Sequence, residues 1–135
     1  MMKHLFLALL FILVLGCKDS NHKVSENKSK LYDEVMAIHD KIMPEMSTIH
    51  ALKRDLKSLE DSKSKPHIIN KIIELDRAEE AMMAWMADFK VPDDKDLEKV
   101  YLTQELLNIK KVGTTMVSSI QDAKFLLDSL KSAKK

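Results

Sequence analysis

Residues 35–59, VMAIHDKIMPEMSTIHALKRDLKSL, decide the fold. Aliphatic side chains recur at Val35, Ile38, Ile42, Ile49, Leu52, Leu56 and Leu59, in alternating steps of three and four, with Glu45 alone out of type. Because an α-helix turns every 3.6 residues, this spacing lines one face with apolar groups and makes the a/d seam of a helix in an antiparallel bundle. The run reads as one helix from about Leu31 to Asp61. Pro44 falls inside it on the polar side, where its missing N–H removes one backbone bond and predicts a kink.

Outward from this run, residues 62–66 (SKSKP) break the pattern, and a second helical stretch from His67 to Phe89 carries Ile68, Ile72, Leu75, Met82, Met86 and Phe89 on one face. Val91-Pro92-Asp93-Asp94 stops it and supplies an N-cap. A third stretch, Asp94 to Ala133, shows Leu102, Ile109, Val112, Met116, Ala123, Leu126 and Leu130 in one seam. Leu, Lys, Glu, Met and Ala dominate, and the whole chain holds two Gly and three Pro, so helix propensity agrees with the periodicity. Short connections make successive helices antiparallel, and the expected fold is all-α: an up-down-up three-helix bundle with a long third helix. Gly113-Thr114-Thr115 is the weakest stretch of the third helix and predicts a bend there. The third helix is long enough to overhang its partners, where it either supports a dimer or frays.

In the other direction the chain becomes polar and then wholly apolar. Residues 18–29, KDSNHKVSENKS, contain one aliphatic side chain, too little apolar surface to offset the entropy of ordering. They read as a flexible tether with a reach of about 20 Å. Before them, Met1-Met2-Lys3-His4 leads into an eleven-residue apolar run, Leu5 to Leu15, that ends at Gly16-Cys17. A basic start, a short apolar stretch and a small residue before the break make a secretory signal peptide. The apolar run is too short to span a bilayer, which takes roughly 20 residues.

Val14-Leu15-Gly16-Cys17 resembles the bacterial lipobox, with Leu15 bulkier than the usual occupant. The resemblance implies cleavage before Cys17 and acyl chains on that residue, and two or more chains anchor stably where one does not. Cys17 is the only cysteine, so no intramolecular disulfide can form. The organisation expected is therefore a signal peptide at 1–16, a lipidated cysteine and tether at 17–30, and the bundle at 31–135. Lys18-Asp19 after the cysteine lacks the Asp in second position that retains lipoproteins in the inner membrane of some bacteria, and this favours the outer over the inner membrane of the cell envelope.

Charge narrows the partners. Loss of the leader removes only Lys3 from the 22 Lys and Arg, leaving them matched to 21 Asp and Glu. A balanced chain lacks the basic face that nucleic acid requires.

Two constellations carry chemical interest. Met36, His39, Met43, Met46 and His50 form a second stripe on the first helix, and Met82, Met83, Trp85 and Met86 cluster on the second. Methionine is a flexible core filler, so packing is the first reading. Thioether and imidazole also select soft or borderline metals, and the alternative is a copper or haem module using His39, Met43, Met46 and His50, joined by Met82, Met83 and Met86. A single cysteine excludes a CxxCH haem attachment. The other constellation is acidic: Glu45 in the first seam, Asp76 and Glu79 in the second, Glu105 in the third. With loops centred near residues 63 and 91, Glu45 faces residue 82, Glu79 faces Gln104, and the three glutamates share a height. They would pair with Lys53, Arg77 or Lys110, or hold a metal with His50. His22 and His67 read as solvated. No nucleophile with a base, phosphate-cradling glycine loop or metalloprotease motif occurs, which points away from an enzyme.

The segment Val35-Met36-Ala37-Ile38-His39-Asp40-Lys41-Ile42-Met43-Pro44-Glu45-Met46, with Met82-Met83-Ala84-Trp85-Met86-Ala87-Asp88-Phe89, resembles a group of small bacterial envelope lipoproteins often labelled "viral A-type inclusion protein". The resemblance extends from the lipobox to the third helix, and carries no activity with it. It implies that the two quoted stretches pack together across the bundle. The function expected from the chain as a whole is that of a membrane-anchored, non-enzymatic bundle acting by contact with a protein partner or a second copy, without a cofactor.

Overall fold

Ser29 opens the described chain by capping it. Its hydroxyl accepts the Tyr32 N–H at 3.3 Å, satisfying one of the donors a helix leaves unpaired at its start. Lys30, placed by the sequence in the tether, is therefore the first helical residue. The computed structural model describes residues 29–59 and 64–133; the expected signal peptide, Cys17 and the expected tether as far as residue 28 lie outside the described residues. The helices are α1 (Lys30–Ile42), α2 (Glu45–Ser58), α3 (Lys65–Asp88) and α4 (Lys95–Ala133). No strand occurs among the described residues.

The single first helix expected from the sequence is thus two segments, parted by Met43-Pro44. Pro44 offers no N–H to the Asp40 carbonyl, and the chain tightens locally, with Met46 N–H to the Met43 carbonyl at 3.1 Å and Ser47 N–H to the Pro44 carbonyl at 3.2 Å. Met43 (φ −53°, ψ −38°) and Pro44 (φ −60°, ψ −24°) both stay in the right-handed helical region. The rod changes direction without reversing, which keeps α1 and α2 on one side of the core.

α3 starts earlier than the periodicity suggests. Pro66 lies in its first turn, where the absent N–H would have been unpaired anyway. At the other end, Asp94 accepts the N–H groups of Asp96 and Leu97, both at 3.0 Å, and so caps α4. The Tyr101 hydroxyl accepts the Lys90 N–H at 2.7 Å and pins the connection between α3 and α4.

α4 packs against α1, α2 and α3, and α3 also packs against α2. The seam residues Val35, Ile42, Ile49, Leu52 and Leu56 are buried against Ile68, Leu75 and Met82 of α3 and Leu102, Ile109, Met116 and Ala123 of α4. Ala78, Trp85, Ile120 and Leu127 join the core without having been read from the pattern. Ala78 fills the gap between Leu75 and Met82 in the expected seam, and Trp85 is buried beside Met86.

Gly113 sits inside one continuous 39-residue helix. Its lack of a side chain serves packing: a Cβ there would run into the terminal methyl of Ile42 and lie 3.3 Å from Ile42 Cγ1. The expected register is corrected. Trp85, rather than Glu79, meets the Gln104–Glu105 level, through an indole N–H to Glu105 Oε2 bond of 2.6 Å. The Trp85–Glu105 and Lys90–Tyr101 bonds centre the pairing near residue 95 instead of 91.

Candidate functional site

Below the break at Pro44, the α1 stripe meets the C-terminal part of α3. His39 Nε2 lies 3.2 Å from Met86 Sδ, and His39 Nδ1 lies 2.9 Å from Asp40 Oδ1. The imidazole ring sits 5.8 Å, centre to centre, from the Trp85 ring. Trp85 continues into Phe89 at 4.9 Å, and Phe89 into Tyr32 and Tyr101 at 6.1 and 5.8 Å. Such tilted pairs favour edge-and-face contacts of the ring quadrupoles. The indole N–H bond to Glu105 fixes the Trp85 ring, so His39 stands between a held aromatic wall, a thioether and a carboxylate. Its side chain is 16% exposed while that of Asp40 is 72% exposed, which places the site at the edge of the core with one polar side open to water.

The predicted stripe divides here. Met43 and Met46 are half-buried against the core, Met82 is fully buried, and Met83 is 51% exposed. His50 leaves the stripe altogether: it is exposed, and its Nε2 lies 3.3 Å from Glu79 Oε1. The buried seam runs on through Ile49, Leu52 and Leu56, and His50, one residue on from Ile49 and so about 100° round the helix, falls at its polar margin. Asp40, the partner of His39, was missed as part of a site. The His-Asp dipeptide was visible, yet helical spacing by itself does not bring neighbouring side chains together.

The acidic seam resolves into ion pairs instead of a glutamate layer. Lys53 Nζ donates to Asp76 Oδ1 and Glu79 Oε2, both at 2.7 Å, tying α2 to α3. Glu105 accepts from Trp85 and, at 3.1 Å, from Asn108. Glu45 is half-buried and joins neither set. No group of three His, Cys, Asp or Glu able to hold a metal exists among the described residues. The similar height expected for the three glutamates fails for the same reason as the α3–α4 register.

Burial on its own would lower the Lys53 pKa, but the hydrogen bonds and charges of Asp76 and Glu79 outweigh it and hold the ammonium above the ordinary 10.5. Hydrogen bonding to Glu74 does the same for Lys71, and burial raises the Tyr101 phenol. All three bind protons more tightly when folded than when unfolded. Their contribution to stability is complete below about pH 10 and is lost as the pH climbs through the raised values. The melting temperature is therefore expected to hold level from pH 7 to 9 and fall above pH 10. A Lys53→Met variant, scanned by circular dichroism, will show a shallower alkaline decline. An unchanged slope would mean that the α2–α3 ion pairs contribute nothing.

No described helix is long and apolar enough to cross a membrane. Comparison of the chain with protein-family models, with curated proteins and with solved structures finds no match.

Proposed function

We propose that the chain is a lipid-anchored protein of the bacterial cell envelope, whose helical domain acts by contact with other proteins and not by catalysis. The carrying observation is the Leu5–Leu15 apolar run ending in Val14-Leu15-Gly16-Cys17. A run of this length is a leader and not a span, and Cys17, the sole thiol, stands where lipid attachment requires one. The domain it carries is an up-down-up antiparallel bundle. Support for that topology comes from the order of contacts, since Tyr32, His39 and Lys53 meet Phe89, Met86 and Asp76 in falling sequence, while Trp85 and Lys71 meet Glu105 and Asp122.

The outer side of α4 supplies apolar groups for contact. Val100 and Leu107, seven residues apart and so on one face, are 71% and 59% exposed, and Phe125 is 76% exposed. Isolated exposed apolar residues are ordinary on a protein surface; their recurrence on the face turned away from the core supports the contact reading.

The test uses Cys17→Ser in the native host. The wild type is expected to incorporate labelled palmitate and to sediment with membranes, favouring the outer membrane fraction. The variant is expected to take up no label and to accumulate uncleaved. Normal processing and membrane fractionation of Cys17→Ser would overturn the lipoprotein reading.

A further inference from the structure

Asp40 determines the tautomer of His39, and the tautomer exposes a site. An ionised carboxylate only accepts hydrogen bonds, so with Asp40 Oδ1 at 2.9 Å the Nδ1 position carries the proton. Nε2 of the neutral ring then presents a lone pair, and the atom in front of it, 3.2 Å away, is the Met86 sulfur. A thioether is itself an electron-pair donor and no more than a weak acceptor. In that neutral tautomer two electron-pair donors face each other at 3.2 Å, an arrangement that a cation bound between them would satisfy.

That is the first half of a coordination sphere. A histidine that ligates a metal ordinarily gives its other ring N–H to a carboxylate, which fixes ring orientation and raises basicity; Asp40 holds that place. With metal–nitrogen and metal–sulfur bonds of about 2.0 and 2.3 Å, the pair needs to open by only about 0.3–0.5 Å to reach a tetrahedral or trigonal angle. Met43 follows His39 by four residues, a spacing that puts both on one side of a helix, and it is half-buried at the C-terminal cap of α1, so it is the thioether of α1 best spaced to join the pair. One imidazole and two thioethers make a soft donor set, which selects Cu(I) over zinc or harder ions. The tilted contact with Trp85 places the only tryptophan of the chain 5.8 Å from the ligating ring.

We propose that His39 Nε2, Met86 Sδ and Met43 Sδ form a site for a soft monovalent cation, Cu(I), on the bundle edge, with Asp40 as the positioning residue. This goes beyond the lipid-anchor reading and stands or falls apart from it, because the site lies within the described helices. Of the donors expected from the sequence it keeps His39, Met43 and Met86 and leaves out Met46, His50, Met82 and Met83.

The test titrates the full chain, in detergent and carrying Cys17→Ala to remove a competing thiol, with silver(I) nitrate as a redox-inert probe. Tryptophan fluorescence is the readout, backed by competition against a Cu(I) chelator. Saturable quenching at one equivalent is expected. Met86→Leu, Met43→Leu and His39→Gln are each expected to weaken binding by about tenfold or more, and Asp40→Asn by about tenfold. Met83→Leu, exposed on the same helix as Met86, should bind as the parent does. Leu for Met conserves volume, and unchanged circular dichroism separates loss of a ligand from loss of the fold. Absence of quenching, parental affinity in Met86→Leu, Met43→Leu or His39→Gln, or displacement of silver by equimolar zinc would each overturn the proposal.

Discussion

Replacing Trp85 with Ala is expected to destabilise the domain by about 3–5 kcal/mol, the range for removing a large aromatic side chain from a core. The indole is 8% exposed. It contacts the rings of His39 on α1 and Phe89 at the end of α3, and its N–H reaches Glu105 on α4, so one side chain joins three helices. Removal leaves a cavity that rigid neighbours cannot collapse into, and Glu105 loses its strongest donor. For a domain of about 100 residues, each kcal/mol moves the melting temperature by about 4–8 °C, and the drop will be visible by circular dichroism at 222 nm. Trp85→Phe is expected to recover more than half of the loss, since Phe keeps ring contacts and gives up one hydrogen bond. A loss below about 1 kcal/mol in Trp85→Ala would show that the indole is not a core element.

Gly113→Leu should cost about 3 kcal/mol, the upper part of the usual range for overpacking. The Cβ alone conflicts with the end of the Ile42 side chain, and the rest of a leucine has only the α1–α4 contact to occupy. Gly113→Ala behaves differently. It gains about 1 kcal/mol of helix propensity, and the conflicting atom is the mobile tip of Ile42, which can rotate away. Near-neutral stability is therefore expected for Ala, and Ile42→Val added to it should lose less than it does alone, because the new methyl fills the space vacated by Ile42 Cδ1. Denaturant unfolding of the four proteins gives the coupling as a double-mutant cycle. Strict additivity would mean that residues 42 and 113 do not touch.

Much of the architecture was legible in the chain. Val35, Ile42, Ile49, Leu52 and Leu56, read from steps of three and four, are all buried, as are Leu102, Ile109, Met116 and Ala123 of the last helix. Periodicity works here because each helix has only one neighbour-facing side, and water excludes apolar groups from the other. The Asp94 cap was equally readable, being a local bond between a side chain and the two N–H groups just beyond it.

The remaining features depend on distance through space. Lys53 could be named as a partner for the acids, but that it takes Asp76 and Glu79 together, with His50 at the edge, follows from how α2 sits against α3. Gly113 looked like a weak point because propensity is a property of one helix, whereas its small size answers to Ile42 on another. Likewise His39 belonged on the sequence to a stripe with Met46 and His50, and the packed chain gives it Met86.

The amino-acid sequence by itself determined the helical class, most of the seam of each helix, the Asp94 cap and a disturbance at Pro44, since these rest on local bonding and on a periodicity internal to one segment. It also contains the apolar run and Cys17 on which the envelope assignment is proposed. Only the tertiary structure decided which residues stand opposite one another: the register of α3 on α4, the Ile42–Gly113 approach and the His39–Met86 pair. Register is set by the summed packing of many side chains and by where each connection ends, and a shift of one residue along a helix turns a side chain by about 100° and 1.5 Å.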